Sequence, residues 1–174
     1  MQRWIHRYRR KLRQKYPNRF NSSAVPAHIF GIMWAQDWTI ISDITSPYPT
    51  KSTVDVTEAM KSQNYTASKM FHIADNFFTS LGMIPLPPTF WEKSLIEKPK
   101  DRDVVCHAWS WDFAKYHDVR IKMCTKIDMD NLIAAHHEEG DTQYYLQYTN
   151  QPYQFREGAN PGFHEAIGDS IALS

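Results

Sequence analysis

His137 and Asp141 stand four residues apart, and so do Glu165 and Asp169, with twenty-three residues between Asp141 and Glu165. This double spacing is the strongest constraint on the fold. Residues four apart share one face of a helix, so each pair can aim both side chains at one object. A loop of that length is enough to return a second helix against the first, so that four ligand-type side chains converge. The rest of the first segment, His137-Glu138-Glu139-Gly140-Asp141, reads as the H-E-x-x-H metal signature with its second histidine exchanged. Glu138 lies about 100° around the axis from His137, beside a metal rather than on it, where a carboxylate serves as general base. Either Glu165 or Asp169 could ligate while the other supports His137 through its second ring nitrogen. The pentapeptide alone is also open to a plainer reading, in which Gly140 ends a helix, Asp141 begins a turn and the acids face solvent.

The 174 residues, 42% of them hydrophobic and 14% aromatic, suit one soluble globular domain or a piece of a larger one. A net charge of +1 gives no global pull toward nucleic acid or a membrane surface. Charge is nonetheless lopsided. Arg3, Arg7, Arg9, Arg10, Lys11, Arg13, Lys15 and Arg19 precede the first acid, Asp37, whereas Arg156 is the only Lys or Arg after His137. A basic nucleic-acid arm is one reading of that start. The reading adopted here is a solvated helix face, because Trp4, Tyr8, Leu12 and Tyr16 recur every fourth residue as an apolar stripe.

That stripe predicts a helix over 3–16, stopped by Tyr16-Pro17-Asn18. A buried helix is expected over 29–41 and a loop over 46–49. Asp55-Val56-Thr57-Glu58 has capping-box spacing, and Phe71, Ala74, Phe77, Phe78 and Leu81 share a helical face closed by Gly82. After Pro85, Pro87 and Pro88, residues 104–108 read as a strand, and Val119, Ile121, Met123, Thr125 and Ile127 alternate as a second. Asp128 or Asp130 is expected to cap the helix carrying His137, and Asn160-Pro161-Gly162 to precede the one carrying Glu165. The expected architecture is mainly α, with a small β element. No run is apolar enough to span a bilayer, no secretory leader is visible, and Ile171-Ala172-Leu173-Ser174 reads as a helix still in progress, so the chain looks cut at that end.

Two cysteines are too few for a disulfide framework, although Cys106 and Cys124 could form one bridge in an oxidising compartment, stapling the two strands. Asn21-Ser22-Ser23 and Asn64-Tyr65-Thr66 are glycosylation sequons. Together these features lean extracellular.

Several longer segments extend the pattern. His136 to Tyr144 resembles the zinc helix of the angiotensin-converting enzyme (peptidyl-dipeptidase A) family, and Arg156 to Asp169 resembles that family's third-ligand segment almost unchanged. Val25-Pro26-Ala27-His28, Met33-Trp34-Ala35-Gln36, Phe77 to Gly82 and Val105-Cys106-His107-Ala108 match it in order. The resemblance implies a mainly helical zinc-peptidase (gluzincin-type) fold, of which residues 1–174 are an interior part of one catalytic domain, truncated at the C-terminal end. It implies a metallopeptidase that removes C-terminal dipeptides from small peptides, in secreted or membrane-anchored form. Any membrane attachment would come through a segment absent here.

By the same resemblance, His137 and Glu165 are zinc ligands, Glu138 the general base and acid, and Asp169 the support for His137. Ala108 and Ser110 offer backbone groups to an extended peptide by strand addition, while His107 and Gln36 contact substrate. Cys106 and Cys124 correspond to a family disulfide. The family's other carboxylate-binding groups, its transition-state tyrosine and histidine, and its chloride-binding arginines would lie downstream. Two residues depart from the family pattern. Glu139 replaces a usual methionine, and Asp141 replaces the second zinc histidine. With Asp141 as a ligand, Zn²⁺ would sit in a formally neutral rather than +1 site, so bound water would be less acidic. Such an exchange is expected to lower zinc affinity or activity at least ~10–100-fold and to shift preference toward Mn²⁺, Mg²⁺ or Ca²⁺. The expected outcome is impaired hydrolysis, or a homologue that binds peptides or proteins without cleaving them.

Overall fold

A computed structural model describes residues 2–17, 27, 54–115 and 117–172. The chain divides into two compact units, Met1–Val54 and Asp55–Ser174. In the first, helix α1 (Gln2–Lys15) follows the predicted stripe. Tyr8 and Leu12 are buried, while Tyr16, the last member of the stripe, lies past the helix end and is exposed. The helix expected over 29–41, the loop over 46–49, Gln36 and Asn21 lie outside the described residues.

The second unit carries the candidate site. Helix α2 (Thr57–Ser62) begins where a capping box was expected, but the box does not form. Asp55 Oδ1 accepts from Thr57 N at 2.8 Å, two residues on, and Glu58 pairs forward with Lys61 at 2.9 Å rather than reaching back. Helix α3 (Ala67–Ser80) is capped by Thr66, whose hydroxyl accepts from Lys69 N. It ends in a Schellman arrangement: Gly82 N–H donates to Thr79 O and Met83 N–H to Phe78 O, with Gly82 at φ 81°. Its buried face is Ala67, Met70, Phe71, Ala74 and Phe78, whereas Leu81 turns outward.

The proline run leads into helix α4 (Pro88–Lys93), with proline in its first turn, where the missing N–H carries no penalty. Strand β1 (Trp109–Asp112) then pairs antiparallel with β2 (Val119–Lys122), Ser110 opposite Ile121. The strand expected at 104–108 is not there. Continuing the ladder would set Cys124 opposite His107, but the disulfide joins Cys124 to Cys106, one residue out of step. Beyond Lys122 the second strand also leaves the ladder, and Met123 N donates to Leu95 O instead.

Helix α5 (Met129–Tyr148) starts at Asp128, whose carboxylate accepts from Asn131 N at 2.8 Å. Helix α6 (Phe163–Ala172) follows the Asn160-Pro161-Gly162 turn. Phe71, Leu86, Phe90, Ile121, Met123 and Ala135 form one core cluster, so α3, α4, β2 and the start of α5 share a single apolar centre. The unit is mainly helical with one small sheet, as expected. Among the described residues, no helix is long and apolar enough to cross a membrane.

Candidate functional site

Helix α5 runs straight through the pentapeptide. Gly140 neither ends it nor begins a turn; it is buried mid-helix, where a Cβ would come 3.3 Å from the Cα of Gly168. The two glycines let α5 and α6 cross at backbone distance. A Cβ on Gly168 would in turn lie 2.8 Å from three atoms of the His137 ring, so the imidazole is seated flat on a glycine. His137 faces Asp169 and Asp141 faces His164, which makes the two helices antiparallel.

The acids the plainer reading placed in solvent are buried instead: Glu138 is 8%, Glu139 0% and Asp141 8% exposed. His137 stands between two carboxylates of α6, with Nδ1 3.1 Å from Asp169 Oδ1 and Nε2 3.3 Å from Glu165 Oε2. Asp141 Oδ2 lies 4.0 Å from the same Nε2, and Asp141 Oδ1 faces His164 Nδ1 at 3.7 Å. Among the described residues, neither Asp141 Oδ1 nor His164 Nδ1 has a hydrogen-bond partner. Burial pushes the Asp141 carboxyl upward from its ordinary value, with His137 and His164 opposing.

Glu138 is held by the sheet. Ser110 Oγ lies 2.6 Å from the Glu138 carbonyl oxygen and 2.8 Å from its Oε2. The one Ser110 hydroxyl thus faces both acceptors, as in a three-centre bond, and ties the Glu138 carboxyl to its own backbone carbonyl. Burial raises the Glu138 carboxyl from its ordinary value, the Ser110 contact pulling it back. The neighbouring Glu139 has no partner for either oxygen, and burial followed by the charge of Asp75 pushes it up to about 9.

A cavity of about 400 Å³ gathers His107, Ala108, Trp109, Ser110, Trp111, His137, Glu138, Asp141, Tyr145, His164 and Glu165. Strand β1 forms one wall. Phe113 N donates to Asp118 O, so the odd-numbered residues make the ladder bonds and the N–H and C=O of Ser110 point away from β2. That outer edge is partly engaged, because Tyr145 OH donates to Ser110 O at 3.4 Å. His107 is exposed, its Nδ1 2.7 Å from Ala108 O. Asn64 is exposed in the turn between α2 and α3, at φ 51°. Sequence reasoning missed the Ser110 hydroxyl, His164, Tyr145 and the Gly140–Gly168 crossing. Only the crossing left a signal, since Gly140 and Gly168 each stand three residues after a ligand-type side chain.

A tetrahedral zinc with bonds of about 2.0–2.2 Å sets its ligand atoms roughly 3.3–3.6 Å apart. His137 Nε2 and Glu165 Oε2, at 3.3 Å, meet that spacing; Asp141, at 4.0 Å, does not. Among the described residues, no group of three or more His, Cys, Asp or Glu side chains is arranged to hold a metal ion. His137 and Glu165 therefore suit two ligand positions of a zinc centre, and Asp141 does not supply the third.

A family model described as angiotensin-converting enzyme (Peptidase M2) matches residues 2–174. Angiotensin-converting enzymes of Bos taurus and Sus scrofa are each 55% identical to the chain over 174 residues, covering 98% of it and 13% of their own length. That of Theromyzon tessulatum is 53% identical over 173 residues, 98% of this chain and 28% of its own. The chain thus spans between an eighth and somewhat over a quarter of these relatives. An identity above one half, carried from the first helix through both site helices, settles lineage: the chain belongs to the angiotensin-converting enzyme family.

Proposed function

We propose that residues 1–174 are part of one peptidyl-dipeptidase catalytic domain, built to take C-terminal dipeptides from small peptides, whose hydrolysis is impaired by Asp141. One observation carries this reading: the outer edge of β1, His137 and a buried Glu138 share a single cavity, while the residue one turn after His137 is a carboxylate turned toward His164. An extended peptide adding to that edge would bond to the backbone of Ala108 and Ser110 and displace the weak Tyr145 contact. Its reacting carbonyl would then face Glu138, which Ser110 orients and which takes up or returns a proton. His107 is the further peptide contact in this reading, and Gln36, a substrate contact by resemblance, lies outside the described residues.

The cofactor that goes with it is Zn²⁺, which polarises a carbonyl and acidifies bound water where its ligand set is complete. His137 and Glu165 are its remaining holders and Asp169 the support of His137; chloride belongs to the complete domain. The partners are small peptides rather than nucleic acid. An extracellular setting, secreted or membrane-anchored, agrees with the Cys106–Cys124 disulfide and the exposed Asn64 sequon, and Asn21 is the second glycosylation position.

A second reading, a homologue that binds peptides or proteins without chemistry, is favoured by the unpartnered Asp141 Oδ1 and by the 4.0 Å gap between Asp141 Oδ2 and His137 Nε2. Dipeptide release from a small peptide by the complete domain, followed by mass spectrometry, tests the two. Impaired hydrolysis predicts that Asp141→His raises turnover at least ~10–100-fold, and equal turnover of the two proteins would overturn it. No turnover in either, with peptide affinity indifferent to chelator and to Glu138→Gln, supports the binding reading.

A further inference from the structure

Asp141 sits between two histidines and satisfies neither. Its Oδ2 is 4.0 Å from His137 Nε2 and its Oδ1 is 3.7 Å from His164 Nδ1. Movement is not shared equally among the three. The His164 ring is wedged, edge-on to Tyr144 at 4.8 Å between centroids and tilted against Tyr145 at 4.9 Å. On a further side lies Gly158, where even a Cβ would come 3.0 Å from His164 Cδ2. His137 is fixed as well, lying on Gly168 with its Nδ1 at Asp169. The helices that carry these groups are locked at the Gly140–Gly168 crossing. Only the Asp141 carboxylate is left to choose between a metal beside His137 and the imidazole of His164.

We infer that His164 holds Asp141 off the metal position, so that α6 supplies one ligand, Glu165, and with the preceding residue withholds another. The two Asp141 oxygens face different histidines, and the approach of Oδ1 to His164 Nδ1, 3.7 Å and short of a hydrogen bond, would compete with drawing Oδ2 in to the roughly 3.3–3.6 Å that a tetrahedral zinc needs. The exchange at position 141 thus has two consequences. It removes an imidazole, and it introduces a carboxylate that the neighbouring helix competes for. His164 is in this sense a positioning residue that determines divalent-cation affinity, and the inference rests on the family-site reading above.

The test is Zn²⁺ affinity of the complete domain at neutral pH, measured by competition with a chromophoric chelator for the wild type, His164→Ala, His164→Phe and Asp141→His. Removing the imidazole nitrogens should tighten Zn²⁺ binding about tenfold, the lower end of what outer partners of metal ligands usually contribute. Phenylalanine keeps a ring against Tyr144 and Tyr145, and alanine relieves any crowding at Gly158, so at least one variant reports on a folded domain. Weaker binding in both variants would make His164 a ligand, and unchanged binding would make it a bystander; either overturns the inference. The Asp141→His arm is separate: no gain of zinc there removes the peptidase-site reading, while the His164 variants still decide whether that imidazole competes.

Discussion

The first two residues of the pentapeptide and the two that depart from the family pattern occupy the same helical turns and meet opposite fates. His137 has a carboxylate at each ring nitrogen, and Glu138 has the Ser110 hydroxyl. Glu139 and Asp141 are buried too, yet among the described residues both Glu139 oxygens and Asp141 Oδ1 lack partners. In the proposed site, α5 would present an apolar side chain at 139 and a metal ligand at 141, and the two carboxyls found there meet surroundings that do not bond them. Helix α5 nevertheless runs unbroken through both carboxyls, held by the Asp128 cap and the Gly140–Gly168 crossing.

Glu139 offers the largest expected effect. Its carboxyl stays protonated in the folded state up to about 9, whereas in the unfolded chain it ionises near 4.5. Between those values the folded state binds more protons, so stability falls as pH rises from about 5 to about 9, by an amount on the order of a few kcal/mol. Glu139→Met removes the orphaned oxygens and should stabilise the domain while flattening this slope. Denaturant unfolding of both proteins at several pH values checks it, and parallel slopes would show that Glu139 finds a partner after all.

A smaller effect is expected on the partnered half. Gly168→Ala drives a methyl to 2.8 Å from the His137 ring. Overpacking of this kind costs about 1–3 kcal/mol, offset in part by the better helix propensity of alanine. Gly140→Ala, whose new methyl meets Gly168 Cα at 3.3 Å, should lose less. Thermal unfolding of the two variants ranks them, and a larger loss at Gly140 would place the tight contact on the wrong side of the crossing.

Much of this was legible from the residues. Asp128 and Asn160-Pro161-Gly162 announce the two site helices, and the paired four-residue spacings announce that they share a focus. The capping box over Asp55–Glu58 misled because Glu58 has a cation one turn on, and Lys61 takes it. Residues 104–108 misled because an apolar run states only that a segment could pair. The disulfide's one-residue offset stops that pairing, and a register is a property of two segments together. Gly140 was ambiguous for a related reason. A glycine that ends a helix and one that admits a neighbouring helix look alike until Gly168 is seen against it. The hold of the Ser110 hydroxyl on Glu138 and the place of His164 beside Asp141 could not be read, since those neighbours lie 28 and 23 residues away in the chain.

The central claim is that the scaffold of the metal site persists while position 141 no longer completes it. Zinc content of the complete domain, purified with zinc present and then dialysed, tests this most directly. The wild type should retain clearly less than one zinc per domain and Asp141→His should retain close to one, as a third ligand closes the site. One zinc per wild-type domain, retained through dialysis, would contradict it.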